Sequence, residues 1–288
     1  MGISRRNLIG ATVALGTAGP VMQGLDPNQA RASMPGNKSV EDVTSLAVQY
    51  FTSKGYAAGA PKPLLTGVDH NGGLTYDEDG FGRGSARSLY VIQPCARVED
   101  AQAQRKPGTL PFFTIIALYP AEAVTAQRRT SDLLEFLTAV AGLDSKRLRV
   151  TTTELAKPLF ADFERYGISG EQIRLRPVAE AQADGAGSGW FEPEGHPNAP
   201  AFASYSVEFV MEDGNEIEIA ESAVEFAPPH NGVVAVGLER LAMARNEQLM
   251  NWHDGAKAFK ETVETEAQRT GKPLPSGYFS ILGLPNPG

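Results

Sequence analysis

One cysteine, Cys95, occurs in the 288 residues, so no disulfide can close within the chain and no thiolate cluster can hold a metal. Histidine is scarce too: His70, His196, His230 and His253 are far apart, and no two stand at the i, i+4 spacing of a helical metal site. The chain has no uninterrupted apolar run of about 20 residues, the length that crosses a bilayer, so no stable membrane anchor is expected. Positive charge is also in deficit, with 26 Lys and Arg against 34 Asp and Glu and a net charge of −8. Nucleic-acid binding needs a clustered basic surface to displace counterions. The basic groups Arg105-Lys106, Arg128-Arg129 and Lys146-Arg147 with Arg149 are short and scattered, which speaks against a nucleic-acid partner.

What is present begins at the N-terminus. Ser4-Arg5-Arg6-Asn7-Leu8-Ile9 precedes an uncharged, weakly apolar stretch broken by Gly10, Gly16, Gly19 and Pro20, and Ala30-Arg31-Ala32 offers a small-x-small cleavage site. This is the pattern of a twin-arginine export signal over residues 1–32. It leaves residues 33–288 as one domain, with a periplasmic or extracellular location expected. The first 32 residues carry Arg5, Arg6, Arg31 and Asp26, a net of +2, so the remaining 256 residues stand at −10.

Hydrophobic spacing organises the remainder. Val43, Leu46, Ala47, Tyr50 and Phe51 recur at helical steps, giving a helix over 40–55 stopped by Gly55. Residues 89–92 and 112–118 are apolar, β-branched and aromatic runs that predict buried strands joined through a polar connection. A helix over 121–141, a strand over 148–152 and a helix over 154–166 follow. The Ala- and Gly-rich residues 179–189 read as a surface loop. Alternation over 204–220 around Glu212-Asp213-Gly214-Asn215 predicts a β-hairpin. Residues 233–236 predict another buried strand, running through Gly237 into a helix near Glu239, and 252–268 is amphipathic. The mixture lacks a strict βαβ rhythm, so the expected class is α+β around a largely antiparallel sheet.

The segment from Gly232 to Met243, with Gly237-Leu238-Glu239-Arg240 at a strand-to-helix junction, resembles motif 3 of the class II aminoacyl-tRNA synthetases. Gln93-Pro94-Cys95-Ala96-Arg97, followed by Pro111-Phe112-Phe113-Thr114, resembles motif 2. Three further segments are similar to the alanyl-tRNA synthetase catalytic domain: Tyr50-Phe51-Thr52-Ser53-Lys54-Gly55-Tyr56, the residues from Leu143 to Thr151, and Glu216-Ile217-Glu218-Ile219. All are collinear over about residues 43–250. The resemblance implies that family's antiparallel sheet of about six strands flanked by helices. It makes Arg97 a ligand for an α-phosphate or activated carboxylate, Arg240 a ligand for distal phosphates or an adenine face, and Phe113 a stacking platform beside Gly237. ATP and Mg2+ are the cofactors it implies, and a homodimer the assembly, paired through residues 40–65. Phe112 and Phe113 read equally well as core.

The departures fall on the chemistry. Thr114 stands where the family has a carboxylate after its aromatic pair, and Val233-Val234-Ala235-Val236-Gly237 replaces its Asp-Thr-Gly-Met-Gly, losing the aspartate that meets an ammonium. A desolvated ammonium left unpaired costs several kcal/mol, roughly. Ala220-Glu221 stands where the family has a Trp-Asn pair, and Glu221 is a candidate to supply that charge. About 38 residues follow residue 250, too few for the family's tRNA-binding and editing domains. The expectation is a repurposed core that binds, and in one version modifies, a small amino-acid-like or nucleotide-like molecule and does not charge tRNA. Two alternatives stand beside it: ATP-dependent adenylation of a carboxylate, and a non-catalytic dimeric module. Glu192-Pro193-Glu194-Gly195-His196 reads as a solvated loop in preference to a metal site, and residues 77–84 as a hairpin turn without EF-hand or P-loop spacing.

Overall fold

The computed structural model describes residues 39–61, 64–65, 86–97, 108–192, 201–227 and 232–272. The expected export signal, the 77–84 turn, residues 193–196, His70, His196 and His230 lie outside them.

Helix α1 (Val40–Ser53) starts where its sequence can cap it: Ser39 Oγ accepts from Asp42 N–H and the Asp42 carboxylate accepts from Ser39 N–H, at 3.1 and 3.0 Å. Gly55, at φ +90°, turns the chain out of it. Strands β1 (Ala57–Ala58), β2 (Leu89–Ala96) and β3 (Phe112–Tyr119) follow. Helix α2 (Ala126–Glu135) begins later than its apolar spacing suggests, because Thr125 caps the Arg128 N–H, and it runs on as a π turn over Phe136–Val140. Strand β4 is Leu148–Thr152. The single helix expected after it divides into a 3-10 turn, Glu154–Leu159, and α3 (Phe160–Arg165). Pro158 is the reason, since it has no N–H to give an α-helical bond.

Strand β5 (Ile173–Leu175) leads to a correction. Residues 179–189 are not a loop: α4 (Val178–Asp184) occupies the first half and a small hairpin, β6 (Ala186–Gly187) with β7 (Trp190–Phe191), the second. Alanine is the strongest helix former, and Gly185 at φ +65° closes the helix with its N–H on Ala181 O. The expected hairpin is present as β8 (Phe202–Val210) and β9 (Glu216–Val224), with the turn at 211–215. Strand β10 (Gly232–Gly237) passes directly into α5 (Leu238–Asn246), and α6 (Trp252–Thr270) ends the described chain.

All strands join one sheet in the order β1-β2-β3-β10-β9-β8-β4-β5, with β7 pairing β8 and β6 outside it. The six strands from β2 to β4 in that order are antiparallel, and only the outer pairs β1–β2 and β4–β5 are parallel. The protein is therefore α+β, as its sequence pattern implies.

The sheet buries side chains on both faces. One carries Tyr205, Val207, Val150, Val234, Val236, Ile116 and Leu118, all buried. It meets α2, where Tyr205 donates to Thr130 Oγ1 at 2.9 Å. Burying such side chains contributes roughly 1.5–3 kcal/mol each. Cross-strand register puts Cys95, Phe113, Gly237, Ala235, Glu221, Ser206 and Thr151 on the other face. A bulge between Val207 and Glu208 leaves Ile219 as the extra residue, so that Glu208 pairs with Glu218. Past the bulge both glutamates belong to that second face.

Candidate functional site

The site is assembled where β10 ends. Gly237 caps α5, and Arg240 in its first turn folds back over the strand ends until its guanidinium carbon lies 4.4 Å from the Phe113 ring centroid. Nη1 donates to Glu218 Oε1 at 3.1 Å and to Glu218 O at 3.4 Å, while Nε is buried without a hydrogen-bond partner. A Cβ on Gly237 would stand 3.2 Å from Arg240 Cδ, so the absent side chain makes room for the arginine stem. Stacking on an aromatic face and pairing with a carboxylate both suit a planar guanidinium. Arg97 follows β2, and its N–H bonds Pro111 O at 2.8 Å. That extra rung assigns Arg97, by alternation, to the face of Phe113.

Thr114, beside Phe113 on β3, is held by a carboxylate. Glu239 accepts from Thr114 N–H at 2.7 Å and from its hydroxyl at 3.0 Å. Burial pushes the Glu239 carboxyl above its usual range, opposed by these Thr114 bonds. The start of α5 is thereby tied to β3 on one side through Glu239 and on the other through Arg240.

Of the residues singled out by sequence, Phe113, Gly237 and Arg240 are in direct contact and Arg97 is on the neighbouring strand end. Glu221 is on the same face but apart from that stack, opposite Ala235 and Ser206. Its carboxylate lies against Gly187, where a Cβ would fall 1.9 Å from Oε1. The neighbouring Ser188 and Ser206 hydroxyls are 2.6 Å apart.

Sequence reasoning missed Glu218 and Glu208. Glu218 was in view as part of the Glu216-to-Ile219 strand, and its alternation with Glu216 was the available signal. The bulge that brings Glu208 opposite it has none. Burial, assisted by the Glu218 charge, pushes the Glu208 carboxyl up to about 8, against a Thr151 hydrogen bond and the Arg174 charge. Glu208 Oε2 is buried without a hydrogen-bond partner. Beyond it Arg174 forks onto Glu216 through two bonds of 2.5 and 2.6 Å. This end of the face therefore carries a line of ionisable groups, Arg240, Glu218, Glu208, Arg174 and Glu216, in which the two central carboxyls stand side by side.

As they stand, Phe113 and Arg240 leave no room for a base between them. A base between Phe113 and Arg240 needs about 3.5 Å of van der Waals separation on each side, and the two groups are 4.4 Å apart. Among the described residues no group of three or more His, Cys, Asp or Glu is placed to hold a metal ion. No described helix is long and apolar enough to cross a membrane.

The fold and this geometry thus define an α+β protein with an arginine-on-aromatic site at a strand-to-helix junction. No protein-family model and no curated protein matches the chain. Among solved structures it is similar to an aspartyl-tRNA synthetase from Entamoeba histolytica, at 14% identity and a TM-score of 0.40 over 72% of this chain and 54% of that one. It is also similar to the RNA-binding domain of threonyl-tRNA synthetase from Cryptosporidium parvum Iowa II, at 10% identity and a TM-score of 0.44 over 81% of this chain and 73% of that one.

Proposed function

We propose that the chain is an exported, repurposed relative of the alanyl-tRNA synthetase core that binds a small amino-acid-like or nucleotide-like ligand through its anionic group and does not charge tRNA. The observation carrying this reading is the convergence of Phe113, Gly237 and Arg240, from two separated motifs, on one contact of 4.4 Å, with Arg97 on the adjoining strand end. Arg240 and Arg97 would supply the cations that hold an anion, and Glu221 the carboxylate for an ammonium. The net charge of −8 favours a small ligand over a polyanion. The twin-arginine pattern supports export to the periplasm.

The test is native mass spectrometry of the protein purified from the periplasm of its own host, with identification of any molecule released on denaturation. A retained amino-acid-like or nucleotide-like compound is expected. Replacing Arg97 and Arg240 together with alanine should abolish that retention while leaving the circular dichroism spectrum unchanged. Retention undiminished in the double variant would place the ligand elsewhere, and recovery of uncleaved protein in the membrane fraction would overturn the export reading.

A further inference from the structure

Resting on that reading of the site, we infer that Glu218 is an internal occupant of the anion position on Arg240, which a ligand carboxylate or phosphate must displace in order to bind. Five features of the geometry converge on this role. Arg240 is immobilised on three sides, by Phe113 beneath its plane, by the bare Cα of Gly237 along its stem and by Glu218 at Nη1. Its orientation is therefore set before any ligand arrives, which reduces the ordering cost of binding. The Glu218 carboxylate makes a single contact with Nη1, at 3.1 Å, and not the two-pronged grip that Arg174 gives Glu216. Buried Nε has no hydrogen-bond partner at all.

The arginine is thus oriented by one monodentate carboxylate and incompletely satisfied by it. An incoming carboxylate or phosphate, with two or three oxygens on one centre, offers the better complement to a guanidinium. The Glu218 side chain is 40% exposed against 16% for Arg240, so it has water to move into when displaced. The bulge at Ile219 is what turns Glu218 onto this face. Bulges re-aim side chains in this way. Glu218 then sets a threshold that selects ligands able to outcompete it, acting as a specificity-determining residue without itself reacting.

The experiment is an isothermal titration of the full protein with inorganic pyrophosphate and, separately, with acetate, alongside the Arg240 Nε–H resonance in a 15N-labelled sample. Glu218→Gln keeps the shape of the side chain and removes its charge. It should tighten binding of the better of the two anions by about two- to fivefold, the factor that corresponds to an exposed ion pair. Titrating that anion should move the Arg240 resonance, and whichever anion moves it identifies the ligand group as phosphate or carboxylate. If Glu218→Gln leaves the affinity unchanged or weakens it, while Arg240→Ala abolishes binding, the displacement role is wrong and the anion site stands. If neither anion binds wild type or Glu218→Gln, the anion-binding reading of the site falls with it.

Discussion

Glu208 is a carboxyl that the sheet buries beside another carboxyl. A carboxyl raised from 4.5 to about 8 by burial keeps a proton in the folded protein that the unfolded chain releases as pH rises above 4.5. Between those values the native state binds more protons than the unfolded one, so stability falls as pH rises, with the loss complete above about pH 8. Glu208→Gln carries the neutral form at every pH. It should leave stability nearly unchanged near pH 4.5 and raise it by on the order of a few kcal/mol at pH 8.5, because each tenfold difference in proton affinity between the two states is worth roughly 1.4 kcal/mol. Urea unfolding at the two pH values measures this, and an equal effect at both would assign the strain to packing instead of charge. Arg129 shows the complementary case. It is 1% exposed, and burial pulls its guanidinium down to about 10, which leaves it charged at neutral pH.

At the scale of elements, strand and helix positions were largely legible because burial follows period. The alternation over 204–220 gave β8, its turn and most of β9, and the run 148–152 coincides with β4. The Ala-Gly stretch was not legible as structure. Low complexity hid a helix that draws on alanine propensity and a hairpin that draws on Gly187 and Gly189 at positive φ. The site divides the same way: Phe113, Gly237 and Arg240 stood out in the sequence, whereas the pairing of Glu218 with Glu208 depends on a bulge that no periodicity announces.

Strand β10 depends on one such unannounced backbone feature. Gly232 stands at φ +134° where a Cβ would fall 2.2 Å from Ala223 O and 2.5 Å from Arg129 Nη1, so both the strand partner and a buried cation would have to move. Gly232→Ala should lose about 2 kcal/mol or more. Gly271→Ala, where a Cβ meets nothing within 4 Å despite φ +70°, isolates the backbone contribution. Similar losses in the two variants by thermal unfolding would mean that the crowding at Gly232 is relieved without cost.

At the scale of the whole molecule, the last helix is fastened to a segment about 200 residues before it in the chain. The carboxylate of Glu266 on α6 accepts the backbone N–H groups of Leu64 and Leu65 at 2.9 and 2.6 Å, and Lys272 Nζ donates to Leu65 O at 2.7 Å. Beneath this clasp Leu64, Leu65, Ala96, Ala256, Phe259 and Val263 form a second, smaller core, joined to β3 through an edge contact of 6.0 Å between Phe259 and Phe112. Phe112 is the sequence neighbour of Phe113, so α6 braces the strand end on which Arg240 rests. Removing the carboxylate strands two buried donors at about 1–3 kcal/mol each. Glu266→Ala should therefore lower stability by roughly 2–6 kcal/mol. Glu266→Gln, which keeps one acceptor oxygen, should lose less. Hydrogen exchange followed by mass spectrometry reads where the loss is felt. The expected result is faster exchange in residues 252–270 and at the 112–114 end of β3, with β8 and β9 unchanged. Faster exchange spread evenly over the sheet would show that the second core is part of the first, and that the clasp serves global stability instead of holding the site's floor in place.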